Sequence, residues 1–166
     1  EVTDVLLASD ADWLIEEVRS ALSDPGTTVG VVRAGSDVRN AVSLSSPDLV
    51  ILDLQIGNMG GMATCMDLRL EIDAGRLAPV PVLMLLDRSA DVFLALQSGA
   101  EGWLVKPLDS FRLKMASVKL LSGENMREQA GDDPEPEVGG GQLDSVVADN
   151  EVNSDQCDQE KPAEAL

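Results

Sequence analysis

Five short apolar runs, separated by stretches with helical spacing, constrain this chain more than any other feature. The runs are rich in Val, Leu and Ile and occupy residues 5–8, 29–32, 49–52, 80–85 and 103–105. Near-continuous apolar strands that alternate with helices are typical of a parallel sheet covered on both faces. We therefore expect an α/β fold over residues 1–122, with a doubly wound five-stranded parallel sheet and five helices.

Between these runs, apolar residues recur at helical spacing, which predicts the buried face of each helix. In chain order the predicted stripes are Leu14, Ile15, Val18 and Leu22; Val38, Ala41 and Val42; Met62, Met66 and Leu70; Val92, Leu94, Ala95 and Leu96; and Phe111, Met115, Val118 and Leu121. Leu68 is a further candidate for the third stripe.

The charge of the chain restricts its partners. There are 30 acidic and 12 basic residues, and the formal net charge is −18. Such a chain repels phosphate backbones, so we expect no nucleic-acid partner and a protein partner with a basic surface. The apolar runs are too short to span a bilayer, and no cleavable leader is visible, so we expect a cytoplasmic protein without direct membrane insertion.

Residues 123–166 differ in composition from the rest. They hold 13 acidic and two basic residues, with Pro and Gly concentrated in 131–141. Low hydrophobicity with high net charge cannot offset the entropy of ordering a chain, which predicts an acidic non-globular tail. Leu143, Val146, Val147 and Val152 lie among the acids. We expect this tail to dock on a partner.

A charged residue lies at or just after the end of four of the predicted strands. The residues at these ends are Ser9-Asp10, Asp53, Leu86-Asp87 and Lys106-Pro107. In an open parallel sheet, sites lie beyond the carboxyl ends of the strands, so two carboxylates and a lysine should converge there. An acid that ends a buried strand is costly without a purpose. The alternatives are that Asp10 only caps a helix and that Lys106 only neutralises Asp53.

The runs DLVILDL, PVLMLL, QSGAEGWLVKP and VLLASDAD, taken together, resemble the response-regulator receiver family over about residues 3–122. The resemblance implies a flavodoxin-like fold in which Asp53 accepts a phosphoryl group from a histidine kinase. It also implies that Lys106 pairs with the phosphate. Mg²⁺ would be held by Asp10, Asp53 and the backbone carbonyl of Gln55.

Several positions depart from the pattern of that family. Ser9 stands where the family has a further acid, and Leu86 stands where it has Thr or Ser. Leucine cannot hydrogen-bond a phosphate. Trp103 matches the switch aromatic, which is usually Tyr or Phe. The loop after Asp53 lacks the customary Pro and Asp, and the connection after Leu86 is about two residues short compared with the family pattern.

Three functions remain open at this point. The departures favour a non-enzymatic accessory or regulatory module whose phospho-switch is lost. The chain also resembles a receiver-like accessory protein of bacterial respiratory NADH dehydrogenase, which would place it on the cytoplasmic side of a membrane-bound complex. The alternative is a stand-alone response regulator phosphorylated on Asp53. A small flavodoxin-like enzyme is disfavoured because the chain has no His and no Gly-rich phosphate loop. The acidic tail also argues against a transcription factor.

Overall fold

The computed structural model describes residues 2–127, which form six strands and five α-helices in alternating order. The strands are β1 (Thr3–Ala8), β2 (Thr27–Val32), β3 (Leu49–Asp53), β4 (Val82–Leu86), β5 (Gly102–Val105) and β6 (Met126–Arg127). The helices are α1 (Asp12–Ala21), α2 (Gly35–Ser45), α3 (Gly61–Asp73), α4 (Val92–Ser98) and α5 (Ser110–Leu121), and a 3₁₀ turn at Ser89–Asp91 precedes α4. None of the helices between residues 2 and 127 combines the length and apolar character needed to cross a bilayer.

The strands form one parallel sheet in the order β2–β1–β3–β4–β5–β6. Because β2 and β3 lie on opposite sides of β1, the connections that leave β1 and β3 diverge and open a crevice at the carboxyl edge. Ala8 is in register with Leu52. The next residues, Ser9 and Asp53, are therefore neighbours at this edge.

Strand side chains alternate between two apolar cores, one on each face of the sheet. In β3, for example, Leu52 packs with residues of α2, α3 and α4, whereas Ile51 packs with residues of α1 and α5. Every residue of β3 and β4 is buried. The predicted α/β fold with a doubly wound parallel sheet is confirmed.

The buried face of α3 differs from the one predicted. Leu68 is fully buried, as is Cys65, whereas Met66 and Leu70 are exposed. Met62 is partly buried at the edge of the core. The other buried residues of the helix are Gly61, Thr64 and Cys65, which a prediction based on long apolar side chains passes over.

The predicted face of α5 is wrong. Its core residues are Leu113, Ala116, Ser117 and Leu120, and all four predicted residues (Phe111, Met115, Val118 and Leu121) are exposed. The helix carries two apolar stripes, and the one with small residues packs against the sheet. The buried hydroxyl of Ser117 is satisfied because it donates to the carbonyl of Leu113 at 2.9 Å.

A sixth strand extends the sheet beyond the predicted boundary at residue 122. In β6, Met126 pairs with Gly102 and Arg127 with Trp103. The sheet therefore continues to residue 127. Residues 128–166, which include most of the predicted acidic tail, lie outside the described residues, so the docking role of the tail stays a prediction.

Candidate functional site at the carboxyl edge of the sheet

Asp53 is the last residue of β3, and only 3% of its side chain is exposed. Its Oδ1 accepts hydrogen bonds from Lys106 Nζ at 2.9 Å and from the backbone N–H of Gln55 at 3.2 Å. Its Oδ2 accepts from the hydroxyl of Ser9 at 2.9 Å. A buried carboxylate is tolerated when it is paired and hydrogen-bonded, and both oxygens of Asp53 meet that condition.

Ser9 takes the place where the family resemblance expects an acid. Its hydroxyl donates to Asp53 and accepts the backbone N–H of Ala11 at 3.2 Å. Its own N–H donates to the carbonyl of Val32 at 3.0 Å, which fixes the end of β1. A hydroxyl here supplies a donor to Asp53, whereas a second carboxylate would repel it. In the sequence, Ser9 stands out only as a departure from the family pattern, and nothing in the sequence indicates this hydrogen bond.

Lys106 follows β5 and points its ammonium into the site. Its backbone N–H donates to the carbonyl of Leu86 at 2.8 Å, and its Nζ lies 3.1 Å from Asp87 Oδ1 and 2.9 Å from Asp53 Oδ1. The ring of Trp13 is 5.6 Å from Nζ, within range of a cation–π contact. Asp87 could have been identified because it follows a strand, whereas Trp13 lies in α1 and carries no such signal.

The protonation of Lys106 reflects two opposing effects. Burial acts to lower the pKa of the ammonium, but the hydrogen bond and charge of Asp53, together with those of Asp87, outweigh burial and raise the pKa above its ordinary value. Lys106 is therefore a cation throughout the neutral range. This gives the site one fixed positive charge next to the buried carboxylate.

The predicted metal ligands come from two neighbouring strand ends: Asp10 follows β1, Asp53 ends β3 and Gln55 comes just after it. Gln55 and Gly57 belong to the connection from β3 to α3, and the N–H of Gly57 donates to Asp10 Oδ2 at 3.2 Å. Within residues 2–127, no three acidic, Cys or His side chains are grouped closely enough to hold a metal ion. Mg²⁺, however, is commonly bound through one or two carboxylates together with waters and phosphate oxygens. Asp10, Asp53 and the carbonyl of Gln55 fit such a site.

The loop that carries Gln55 is held against the start of α2. Asn58 and Met59 have positive φ angles of 49° and 81°, a conformation that side chains with a Cβ rarely adopt. The N–H of Gly35 donates to the carbonyl of Gly57 at 3.0 Å, and that of Ser36 donates to the carbonyl of Asn58 at 2.8 Å. These bonds stabilise the strained turn and set the course of the loop.

The neighbouring strands β4 and β5 contain no polar side chain comparable to Asp53. Leu86, the last residue of β4, is completely buried, and Trp103 in β5 is 3% exposed. Both belong to the core beneath α2, α3 and α4. The Arg127 guanidinium lies 5.8 Å from the Trp103 ring. Leu86 therefore offers no hydroxyl to a phosphoryl group on Asp53, as the sequence indicated.

Proteins similar to this chain include transcriptional and DNA-binding regulators. Residues 5–117 match the family model described as the response regulator receiver domain. The DNA-binding response regulator MtrA of Mycolicibacterium smegmatis is 36% identical over 128 residues, which cover 76% of this chain and 53% of MtrA. The transcriptional regulatory protein CseB of Streptomyces avermitilis is 32% identical over 148 residues, which cover 84% of this chain and 60% of CseB. The chain thus spans little more than half of these relatives.

A solved structure supports the same assignment. The signal receiver domain of a signal transduction histidine kinase from Syntrophus aciditrophicus matches with a TM-score of 0.66 and 31% sequence identity. The match covers 74% of this chain and 92% of that domain. The similarity therefore extends over almost the whole of that domain.

Proposed function

Because this chain belongs to the response regulator receiver domain family, we propose that Asp53 accepts a phosphoryl group from a histidine kinase in a two-component pathway. The observation that carries the proposal is the buried Asp53 carboxylate, with Lys106 Nζ and Ser9 Oγ each at 2.9 Å. The comparisons favour this phospho-acceptor, the alternative in the sequence analysis, over the accessory module. The relatives described above are regulators, and none is a component of a respiratory NADH dehydrogenase.

The chemistry of transfer follows from the groups at the site. A carboxylate oxygen of Asp53 attacks phosphorus, the new O–P bond forms as the bond from phosphorus to the kinase imidazole nitrogen breaks, and the electron pair of that bond stays on the imidazole. Lys106 supplies a compact positive charge to the phosphoryl oxygens. The hydroxyl of Ser9 holds the carboxylate in place. Asp10, Asp53 and the backbone carbonyl of Gln55 would hold Mg²⁺, which would supply further positive charge against the negative charge of the phosphoryl group.

Labelling of the full chain tests this proposal. Incubation with a small acyl phosphate and Mg²⁺ should add one phosphoryl group to Asp53, detected by intact-mass measurement and peptide mapping. Asp53→Asn should abolish the added mass. Asp12→Asn is the matched control, because Asp12 is an exposed carboxylate paired with Arg33, and this variant should be labelled normally. A folded wild-type sample that takes up no phosphoryl group at high donor concentration would contradict the proposal.

A second role is favoured by Leu86. A domain that accepts phosphate on Asp53 but has an apolar, buried residue at the end of β4 would transmit little change to its surface. Such a protein acts as a binding module whose surface stays the same when Asp53 is phosphorylated. Labelling at Asp53 without any change in partner affinity would support this role, and a large change in affinity would contradict it.

We also infer that the residues of this chain do not bind nucleic acid themselves. MtrA is named as a DNA-binding regulator, but this chain covers just over half of it. With a net charge of −18, this part should repel a phosphate backbone. Retention of the chain on a DNA-coated surface at physiological salt would contradict the inference.

A further inference from the structure

The ammonium of Lys106 is shared between two carboxylates. Its Nζ lies 2.9 Å from Asp53 Oδ1 and 3.1 Å from Asp87 Oδ1. Because both oxygens contact the same nitrogen, they lie within about 6 Å of each other, a range in which one charge strongly affects another. The three side chains together carry one more negative charge than positive charge.

Lys106 would stay at the site without Asp87. Its backbone N–H donates to the carbonyl of Leu86 at 2.8 Å, and its side chain is only 10% exposed. Asp53, which is 3% exposed, already accepts a hydrogen bond from the ammonium. The Asp87 side chain is 38% exposed and follows the end of β4. Its carboxylate therefore affects the charge at the site more than it affects the placement of Lys106.

The basic residue next to Asp87 does not replace Lys106 as its partner. The guanidinium of Arg88 donates to both carboxylate oxygens of Asp91, at 3.0 and 3.3 Å. Among residues 2–127, Lys106 is the cation paired with Asp87. Any group that requires the charge of Lys106 must therefore share it with Asp87.

Phosphorylation of Asp53 would make this sharing unfavourable. The carboxylate of Asp53 carries one negative charge, whereas a phosphoryl group carries nearly two at neutral pH. The single ammonium of Lys106 would then face the phosphoryl oxygens and Asp87 together. Asp87 repels the added negative charge, and at a buried ammonium this repulsion is screened less than at the surface.

We propose that Asp87 acts through Lys106 to lower the affinity of the site for a phosphoryl group. The proposal rests on the proposed function, because it concerns a phosphoryl group on Asp53. Asp87 does not contact Asp53 itself and is a positioning residue, since it determines how the Lys106 ammonium is divided between two anions. A neutral residue at position 87 would leave the whole charge of Lys106 to the phosphoryl group.

Beryllofluoride, which binds to a carboxylate oxygen in the manner of a phosphoryl group, tests this proposal in the full chain. With saturating Mg²⁺, calorimetric titration should show Asp87→Asn binding beryllofluoride about tenfold more tightly than the wild type. Asp87→Glu keeps the charge and should bind within about twofold of the wild type. The gain for Asp87→Asn should shrink several-fold in high salt, because Asp87 is partly exposed. A change in packing alone would not depend on salt in this way.

Asp24→Asn is the matched control. Asp24 is also paired with a lysine, Lys114, at 3.2 Å, but it lies between α1 and β2, at the opposite edge of the sheet. This variant changes the net charge of the chain by the same amount and should bind beryllofluoride like the wild type. Mg²⁺ alone should bind Asp87→Asn no more tightly than the wild type, so that a gain in beryllofluoride affinity does not come from the metal.

The outcomes separate this proposal from the proposed function. Equal or weaker binding of beryllofluoride by Asp87→Asn would overturn the role of Asp87 while leaving Asp53 as the acceptor. An equal gain in Asp24→Asn would also overturn it, because net charge alone would then explain the effect, and so would tighter binding of Mg²⁺ alone by Asp87→Asn. A folded wild type that neither binds beryllofluoride nor is labelled by an acyl phosphate would contradict the proposed function, and this proposal with it.

Discussion

The ends of β3 and β4 are neighbours in the sheet but are built in opposite ways. At the end of β3, Asp53 is buried among hydrogen-bond donors from Ser9, Lys106 and Gln55. At the end of β4, Leu86 is buried entirely among apolar side chains, with Trp103 in the same core. One end holds a charged group that can react, and the other holds a group that can only pack.

This difference separates acceptance of a phosphoryl group from its transmission. The first needs a nucleophile and compensating charge, which the residues around Asp53 supply. The second needs a group whose contacts change when phosphate arrives, and no such group ends β4. Variants at these two strand ends should therefore affect acceptance and transmission separately.

The largest effect is expected from Lys106→Met. Among residues 2–127, Lys106 is the one cation paired with Asp53, and this change removes the charge while keeping most of the length of the side chain. We expect the rate of labelling by a small acyl phosphate to fall on the order of 100-fold, the usual effect of losing one stabilising group in a transition state. Lys114→Met, on the exposed face of α5, is the matched control and should be labelled at the wild-type rate. A reduction of less than threefold for Lys106→Met would show that Lys106 only neutralises Asp53.

The next effect is expected from Leu86→Thr, with Leu86→Val as the isosteric control. Both lose core volume, and Thr also buries a hydroxyl, so Leu86→Thr should lower the free energy of unfolding by about 2 kcal/mol. In a Trp13→Phe background, only Trp103 reports by fluorescence. Phosphorylation should change its emission in the Thr variant and not in the Val variant or the parent. A large change in the parent would contradict the role given to Leu86, since another residue, such as Ser89, would then relay the signal.

A smaller effect is expected from Ser9→Asp, compared with the neutral isostere Ser9→Asn. The added carboxylate replaces a donor to Asp53 and gives Mg²⁺ another anionic ligand. We expect Mg²⁺ to bind about tenfold more tightly, a gain of about 1.4 kcal/mol, to the Asp variant than to the Asn variant. Titration can be followed through Trp13, next to Lys106. Equal affinities would mean that Ser9 does not border the metal site.

The smallest effect is confined to alkaline pH. Because the folded-state pKa of Lys106 is raised, its contribution to stability is fully present below the unfolded value of 10.5 and is lost as pH rises through the folded value. Denaturant unfolding between neutral pH and the alkaline limit should show the wild type losing more stability than Lys106→Met above that pH. The chain has no Tyr, and burial raises the pKa of Cys65 equally in both proteins. If the two proteins lost stability in parallel as the pH rose, the ion pair between Lys106 and Asp53 would be contradicted.

The sequence was sufficient to predict the fold and the meeting of Asp53 with Lys106. Apolar runs locate buried strands, and parallel strands bring their carboxyl ends to one edge. The contacts of Ser9 and Trp13 could not be predicted in this way. Whether a serine donates to a carboxylate, or a helix places its indole over an ammonium, depends on distances across the crevice that no spacing along the chain encodes.

The error at α5 has a different cause. Its two apolar stripes are interleaved, and hydrophobicity favours the stripe with Phe111 and Met115 over the one with Ala116 and Ser117. Close packing against a sheet favours small side chains. The volume of the side chains therefore determined which face of α5 is buried, whereas hydrophobicity predicted the opposite face. The same property left an apolar stripe on the outside of the molecule.

Gly35 shows that a harmful variant can arise outside the residues that form hydrogen bonds with Asp53. A methyl group added at Gly35 would lie 1.9 Å from the carbonyl oxygen of Met59, a separation that no packing adjustment of side chains can relieve. The turn would have to move, and with it the backbone carbonyl of Gln55. Surveys of natural variation that rank positions by their proximity to the acceptor would pass over this glycine. Its loss should nevertheless resemble the loss of one of the proposed Mg²⁺ ligands.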